Sequence, residues 1–152
     1  MPSEEDVGRV RRATLCLVNR ERITDGQAPL TPDTQLVRAA QGHSDEMAAV
    51  GYFEHVGPHG DAPIDRMRAA GYIDGSEVGY EVAENIAWGT LSLATPRSIV
   101  ADWMASPTHR VHILNPAFRS TGVGVSPHAP ASIAGGEAGG TYTQDFGVTF
   151  TR

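Results

Sequence analysis

Hydrophobic and polar positions repeat at helical spacing in the first half of the chain and alternate like strands in much of the second. Val7, Val10, Leu17 and Val18 form an apolar stripe, and Ser3 before Glu4, Glu5 and Asp6 supplies a capping hydroxyl and an acidic first turn. A first helix is predicted from just after Ser3 to about Arg22. Gly26 and Pro29 mark the loop that follows, and Thr31-Pro32-Asp33-Thr34 is a second helix start. Leu36, Ala40, His43, Met47 and Val50 share one helical face, with Gly51 as a stop. Tyr52 to Gly60 is too rich in Gly and Pro for regular structure. Asp61 can cap a short third helix that passes Ile64 and Met67 and ends at Gly71.

Val78, Tyr80, Val82, Ile86 and Trp88 alternate as one face of a strand. Thr95-Pro96 opens another helix, with Ile99, Val100 and Trp103 facing inward, and Pro107 breaks it. Thr108 can cap a short turn that holds His109, Arg110 and Ile113. Ser120 to Ser126 reads as a strand. Pro127 to Gly140 has no periodicity and reads as a long exposed hairpin loop. Thr141 to Thr151 is the last strand, with Tyr142, Gln144, Phe146, Val148 and Phe150 on one face. Helices come first, then about three strands interleaved with one helix, and no repeat occurs. This order predicts an α+β fold, a small and mainly antiparallel sheet covered by helices, built as a single domain over residues 1–152.

One residue breaks the pattern. Glu84 falls on the apolar face of its strand, where a carboxylate is costly unless something pairs with it, binds it or protonates it. His43, His55 and His109 lie in segments that could bring imidazoles to it. His43 taken alone is more simply a core or boundary histidine. His55 lies in a loop, where functional residues concentrate, and His109 has a structural excuse near a helix end. His59, His112 and His128 read as exposed or loop-borne. Asn85 points to the opposite face, towards backbone in a neighbouring loop. Together His55, Glu84 and His109 are a ligand set that suits zinc or another divalent cation, and equally suits acid–base work on a bound water. The His-Glu-x-x-His pattern, the Gly-x-Ser-x-Gly elbow and a phosphate-binding glycine loop are all absent.

Charge narrows the partners. Twelve basic against eighteen acidic residues give a net charge of -6, which argues against nucleic acid and anionic membranes. The clusters Arg9, Arg11, Arg12 and Arg20, Arg22 read as the solvated face of the first helix. The single cysteine, Cys16, allows no internal disulfide and reads as a small buried hydrophobe. No apolar run is long enough for a membrane span, and the acidic N-terminus does not read as a signal peptide.

Several short runs, in this order and spacing, resemble the CAP superfamily (cysteine-rich secretory proteins, antigen 5 and pathogenesis-related 1) in its bacterial SCP-like branch. They are Asn19-Arg20-Glu21-Arg22, Pro29-Leu30, Ala40 to Met47, Phe53-Glu54-His55, Glu84-Asn85-Ile86-Ala87, Trp103 to Arg110, Ile113 to Pro116, Gly122-Val123-Gly124 and Tyr142-Thr143-Gln144. The resemblance covers about Leu15 to Phe150. It implies a three-layer α-β-α sandwich with an open cleft, an extracellular or cell-envelope location, and in some members a divalent cation held by two histidines and two glutamates. His55 and Glu84 match two of those four. The second glutamate is replaced near Ser106 and the second histidine is Thr141, so the tetrad is incomplete, and the residues left to line the cleft are His43, His55, Glu84 and His109. Three readings follow: a secreted domain, expected to be a monomer, binding a small molecule, lipid or divalent cation; a metal-assisted hydrolase of peptide or cell-wall substrates; and a non-catalytic scaffold or effector.

Overall fold

The structure is a computed structural model that describes residues 1–151. Helix α1 spans Val7–Thr24, strand β1 Thr31–Pro32, α2 Thr34–Glu46, α3 Pro63–Ala69, β2 Val78–Thr90, α4 Pro96–Ala105, α5 Pro107–Leu114, β3 Ser120–Ser126, α6 Ala131–Ala134 and β4 Gly139–Thr151. The four strands are ordered β1-β3-β4-β2, with β1 parallel to β3 and the other pairs antiparallel. Helices cover both faces, so the three-layer α-β-α sandwich and the mainly antiparallel sheet are as expected.

The two faces of the sheet differ because side chains alternate along its strands. Val123, Val125, Tyr142 and Phe146 point to one side and form the larger core with α1, α4 and α5, where Val18, Ile99, Trp103 and Ile113 are buried. The other face receives α2 and α3, with Leu36, Ala39 and Met67 packed near Tyr80 and Val82. Gln144, the polar residue in the apolar row, is buried and donates to the Thr121 hydroxyl at 3.0 Å. Beyond two-residue β1, the edge of β3 is satisfied by Gln41, which accepts from Val125 N–H and donates to its carbonyl.

Helix α2 lies unusually close to the sheet, and two glycines permit it. A Cβ at Gly122 would stand 2.1 Å from the Leu36 carbonyl carbon, and one at Gly124 2.3 Å from that of Ala40. Both obstacles are backbone, so they cannot swing aside. We expect Gly124→Ala to lift α2 and cost about 1–3 kcal/mol, the usual range for overpacking, read as a fall in thermal midpoint. An unchanged midpoint would show that the contact is looser than described.

Several local expectations are corrected. Asp6, not Ser3, precedes α1, and its carboxylate accepts the Ser3 N–H at 2.7 Å, so the helix starts later. Thr31–Pro32 is a short strand, and Asp33 caps α2 through the N–H groups of Gln35 and Leu36. The last turn of the second helical segment, Met47–Gly51, is π-helical. Asp61 does not cap α3, since it is engaged with Arg66, and Asp65 instead accepts the Ala62 N–H. Residues 127–140 contain α6, closed by left-handed Gly135. Cys16 is exposed rather than buried, because the buried stripe of α1 runs through Val10, Thr14, Val18 and Arg22.

Arg22 is the largest departure. It is fully buried, not solvated. Its guanidinium donates to the carbonyls of Ala28, Ile113, Asn115 and Phe118. One turn earlier, Asn19 donates to and accepts from the backbone of Leu30. These two side chains tie the end of α1 to the loop after it and to the end of α5.

Candidate functional site

Glu84 sits mid-strand in β2, on the face covered by α2 and α3, and its side chain is 1% exposed. His55 Nδ1 is 2.9 Å from Oε1. The Arg66 Nη2 donates to Oε2 at 2.9 Å and to Oε1 at 3.2 Å. Burial alone would raise the carboxyl's pKa, but the His55 hydrogen bond and the charge of Arg66 more than offset it. Glu84 is therefore ionised, and His55 donates its Nδ1–H. The imidazole of His55 is 49% exposed, and among the described residues no group bonds its other nitrogen, so a buried anion orients a solvent-facing ring.

Arg66 was not anticipated as a site residue. It comes from α3 and also donates to the His55 carbonyl at 2.8 Å, the Asp61 carbonyl at 3.0 Å and Asp61 Oδ2 at 3.1 Å. One guanidinium thus fixes both the carboxylate and the loop that carries His55. Burial opposes its charge, yet the nearby Glu84 raises its pKa overall. The sequence signal was slight: a basic residue beside inward-facing Met67, on a helix whose other apolar positions are few.

His43 is buried under the same face, with Nε2 3.8 Å from Glu84 Oε1. That is too long for a hydrogen bond. The nitrogen instead donates to the Glu54 carbonyl at 2.9 Å, which fixes the tautomer and anchors the loop before His55. Burial depresses the ring's pKa despite the opposing charge of Glu84, so His43 is neutral at pH 7. Tyr52 stacks obliquely against it and donates to Glu46.

His109 reaches this region from α5, on the other side of the sheet. No hydrogen bond joins it to Glu84, and its Nδ1 is buried without a partner. Asn85, on the opposite face from Glu84, holds α5 in place. Its amide donates to the His109 carbonyl at 3.0 Å and accepts from His112 Nδ1 at 2.8 Å. His112, set aside as exposed or loop-borne, is thus half-buried and helical. Burial, and then the charge of His55, lowers the pKa of His109, while burial and then His109 lower that of His112.

The residues do not fit a divalent cation held by His55, Glu84 and His109. Both Glu84 oxygens face the Arg66 guanidinium, which would repel a second cation there. His55 spends one nitrogen on the carboxylate, and His109 approaches from the far side of the strand. Among the described residues no three His, Cys, Asp or Glu side chains gather as a metal-holding group.

Two surface grooves of about 490 and 500 Å³ lie away from Glu84. One is lined by Asp45, Ala48, His128 and Glu137 among others, the second by Pro107, Arg110, Val111, Leu114, Asn115 and Pro116. Neither groove is lined by Glu84, Arg66 or His55, where buried charges converge on a half-exposed ring.

A four-stranded sheet between two helical layers is the architecture of the SCP-domain structures that share this fold. Residues 15–146 match the model of the cysteine-rich secretory protein family, CAP, and the chain belongs to that family. The chain is 37% identical over 131 residues to the uncharacterised protein YkwD of Bacillus subtilis, covering 86% of this chain and 44% of YkwD. It is 32% identical over 111 residues to the uncharacterised membrane protein YlbC of the same organism, covering 73% of this chain and 30% of YlbC. The chain thus spans less than half the length of these curated relatives. An outer surface protein of Borrelia burgdorferi superposes with a TM-score of 0.73 at 16% identity, covering 97% and 95% of the two chains. An extracellular SCP-domain protein of Bacillus anthracis gives 0.66 at 22% identity, covering 96% of this chain and 44% of that one. No described helix is long and apolar enough to cross a membrane.

Proposed function

We propose that this is an extracytoplasmic ligand-binding domain whose contact residue is His55, supported from beneath by Glu84 and Arg66. The observation that carries the reading is the half-exposed imidazole bonded at 2.9 Å to a buried, ionised carboxylate. In the tautomer that gives Nδ1–H to Glu84, the lone pair lies at Nε2 on the exposed side of the ring. The ligand it suits is a small molecule that brings a hydroxyl or N–H, as sugars and peptides do. The extracytoplasmic location is supported by the extracellular and outer-surface proteins that share the fold.

A second reading, hydrolysis, is favoured by the same bond. A carboxylate on one imidazole nitrogen and a lone pair on the other is the arrangement of a general base, which could take a proton from a water. Amide-resonance titrations of the protein and of His55→Ala with peptidoglycan fragments, peptides and lipid micelles test both readings. We expect shifts around residues 54–56 and an affinity loss of about tenfold or more in the variant, as for one lost hydrogen bond to a fixed group. Product release during the titration selects hydrolysis. Shifts confined to the groove beside His128 would overturn the assignment of the site.

A further inference from the structure

Asp145 is directly opposite Glu84 in the β2–β4 ladder, and both side chains point to the face beneath α2 and α3. Its own neighbour across β3 is Gly122, the position where α2 backbone comes closest to the sheet. Asp145 is fully buried, and neither carboxyl oxygen receives a hydrogen bond from any described donor. Directly opposed residues on one face of an antiparallel pair have Cβ atoms about 4.5–5.5 Å apart, so the Glu84 carboxyl is its cross-strand neighbour. Two carboxylates cannot bond without a proton between them. Ionised, Asp145 would be a buried anion beside another anion, with no donor of its own.

The surrounding charges point the same way. From α2 come His43, which is neutral, and Glu46. The following loop supplies Tyr52 and His55, and Asp61 and Arg66 stand around α3. Facing Asp145, β3 offers only Gly122. His109 and His112 lie on the far side of the sheet. Arg66 is the one fixed cation in this group, and it is already shared between Glu84 and Asp61. A second buried carboxylate has no cation of its own: the charge of Arg66 is felt at Asp145 but is outweighed by burial and by Glu84.

We propose that Asp145 is a neutral carboxylic acid in the folded protein and donates its proton to Glu84, as a positioning residue for the Glu84–His55 pair. Glu84 is then held by three donors, from His55, Arg66 and Asp145. Burial, followed by the charge of Glu84, pushes the Asp145 carboxyl well above the usual aspartate range, in line with this assignment. Nothing in the protonation itself rests on the ligand-binding reading; only its consequence for His55 does.

The test uses ligand-free protein labelled with 13C at the aspartate carboxyls. One aspartate resonance should stay at the protonated position at pH 7 and vanish in Asp145→Asn. Asp145→Asn, which keeps a donor and carries no charge, should gain thermal midpoint over the parent as pH rises above 3.8, the ordinary aspartate value. The sign follows because the unfolded parent releases a proton there that the folded parent retains. The His55 Nδ1–H resonance should be kept in Asp145→Asn and moved in Asp145→Val, a difference that a merely space-filling role would not produce. Every aspartate at its ionised position at pH 7, or a doubly protonated His43 nitrogen signature at that pH, would overturn the proposal. Because no ligand enters these measurements, their failure leaves the His55 titration to stand or fall by itself.

Discussion

Arg22→Met should lose about 3–5 kcal/mol of unfolding free energy, enough to bring a domain of typical ~5–15 kcal/mol stability close to its limit. The reason is the number of acceptors left behind. Four backbone carbonyls, of Ala28, Ile113, Asn115 and Phe118, take hydrogen bonds from this one guanidinium, and a buried group left unpaired costs roughly 1–3 kcal/mol. Against the sum stands the cost of burying the cation, which methionine avoids and which is felt as a lowered pKa of Arg22, mainly from burial. Urea titration followed by circular dichroism measures the loss. Arg22→Lys, with a charge but no fork, should recover only part of it. Arg20→Met, two residues away on the exposed side of α1, should stay within about 0.5 kcal/mol of the parent. Parity between Arg22→Met and Arg20→Met would refute the anchor.

The same residue shows where the sequence stops being legible. Local pattern located the elements well. The stripe Leu36, Ala40, His43 set the buried face of α2, and Tyr142 and Phe146 set that of β4, because alternation and helical spacing are properties of a few neighbouring residues. Glu84 stood out by the same logic, as a charge in an apolar row. Arg22 did not, because its partners lie up to 96 positions away, and a basic residue on a helix is otherwise most economically placed in water. Arg66 was hidden for the same reason: only the packing of α3 against β2 makes it Glu84's partner. Asp145 was readable in principle. Gly139 to Gly147 is buried at every position, since β4 lies between β3 and β2 and is covered on both faces. A central strand of that kind carries no solvent face for an aspartate. The alternation of Tyr142, Gln144 and Phe146 suggested one, because the small threonines opposite them look polar although they are enclosed. His109 sits on the helix that packs against the Asn85 face of β2, and no hydrogen bond joins it to Glu84.

Arg66→Met should cost about 3–5 kcal/mol near neutral pH, since it leaves the Glu84 carboxylate buried without its cation. It also frees the His55 and Asp61 carbonyls, so the loop carrying His55 should exchange its amides faster. Adding Glu84→Gln should restore part of the loss, and the four proteins together give the coupling between the two side chains. The pH dependence is a sharper signature. In the parent, the Glu84 pKa lies below its ordinary 4.5 because His55 and Arg66 outweigh burial. Its pairing therefore contributes stability that is fully present above 4.5 and lost as pH falls through the folded value. Without Arg66, burial dominates and the folded pKa rises above 4.5, so the contribution of Glu84 reverses, growing as pH falls towards 4.5. His43, buried and neutral, favours the folded state above its ordinary 6.5 and weakens it below, and because the charge of Arg66 helps to lower its pKa, the weakening is smaller in Arg66→Met and adds to the narrowing. The stability gap between parent and Arg66→Met should accordingly narrow between pH 7 and pH 4.5 when followed by urea unfolding. A gap that holds constant over that range would mean that Arg66 acts through packing and its carbonyl bonds alone, and that the charge of Glu84 is balanced from elsewhere.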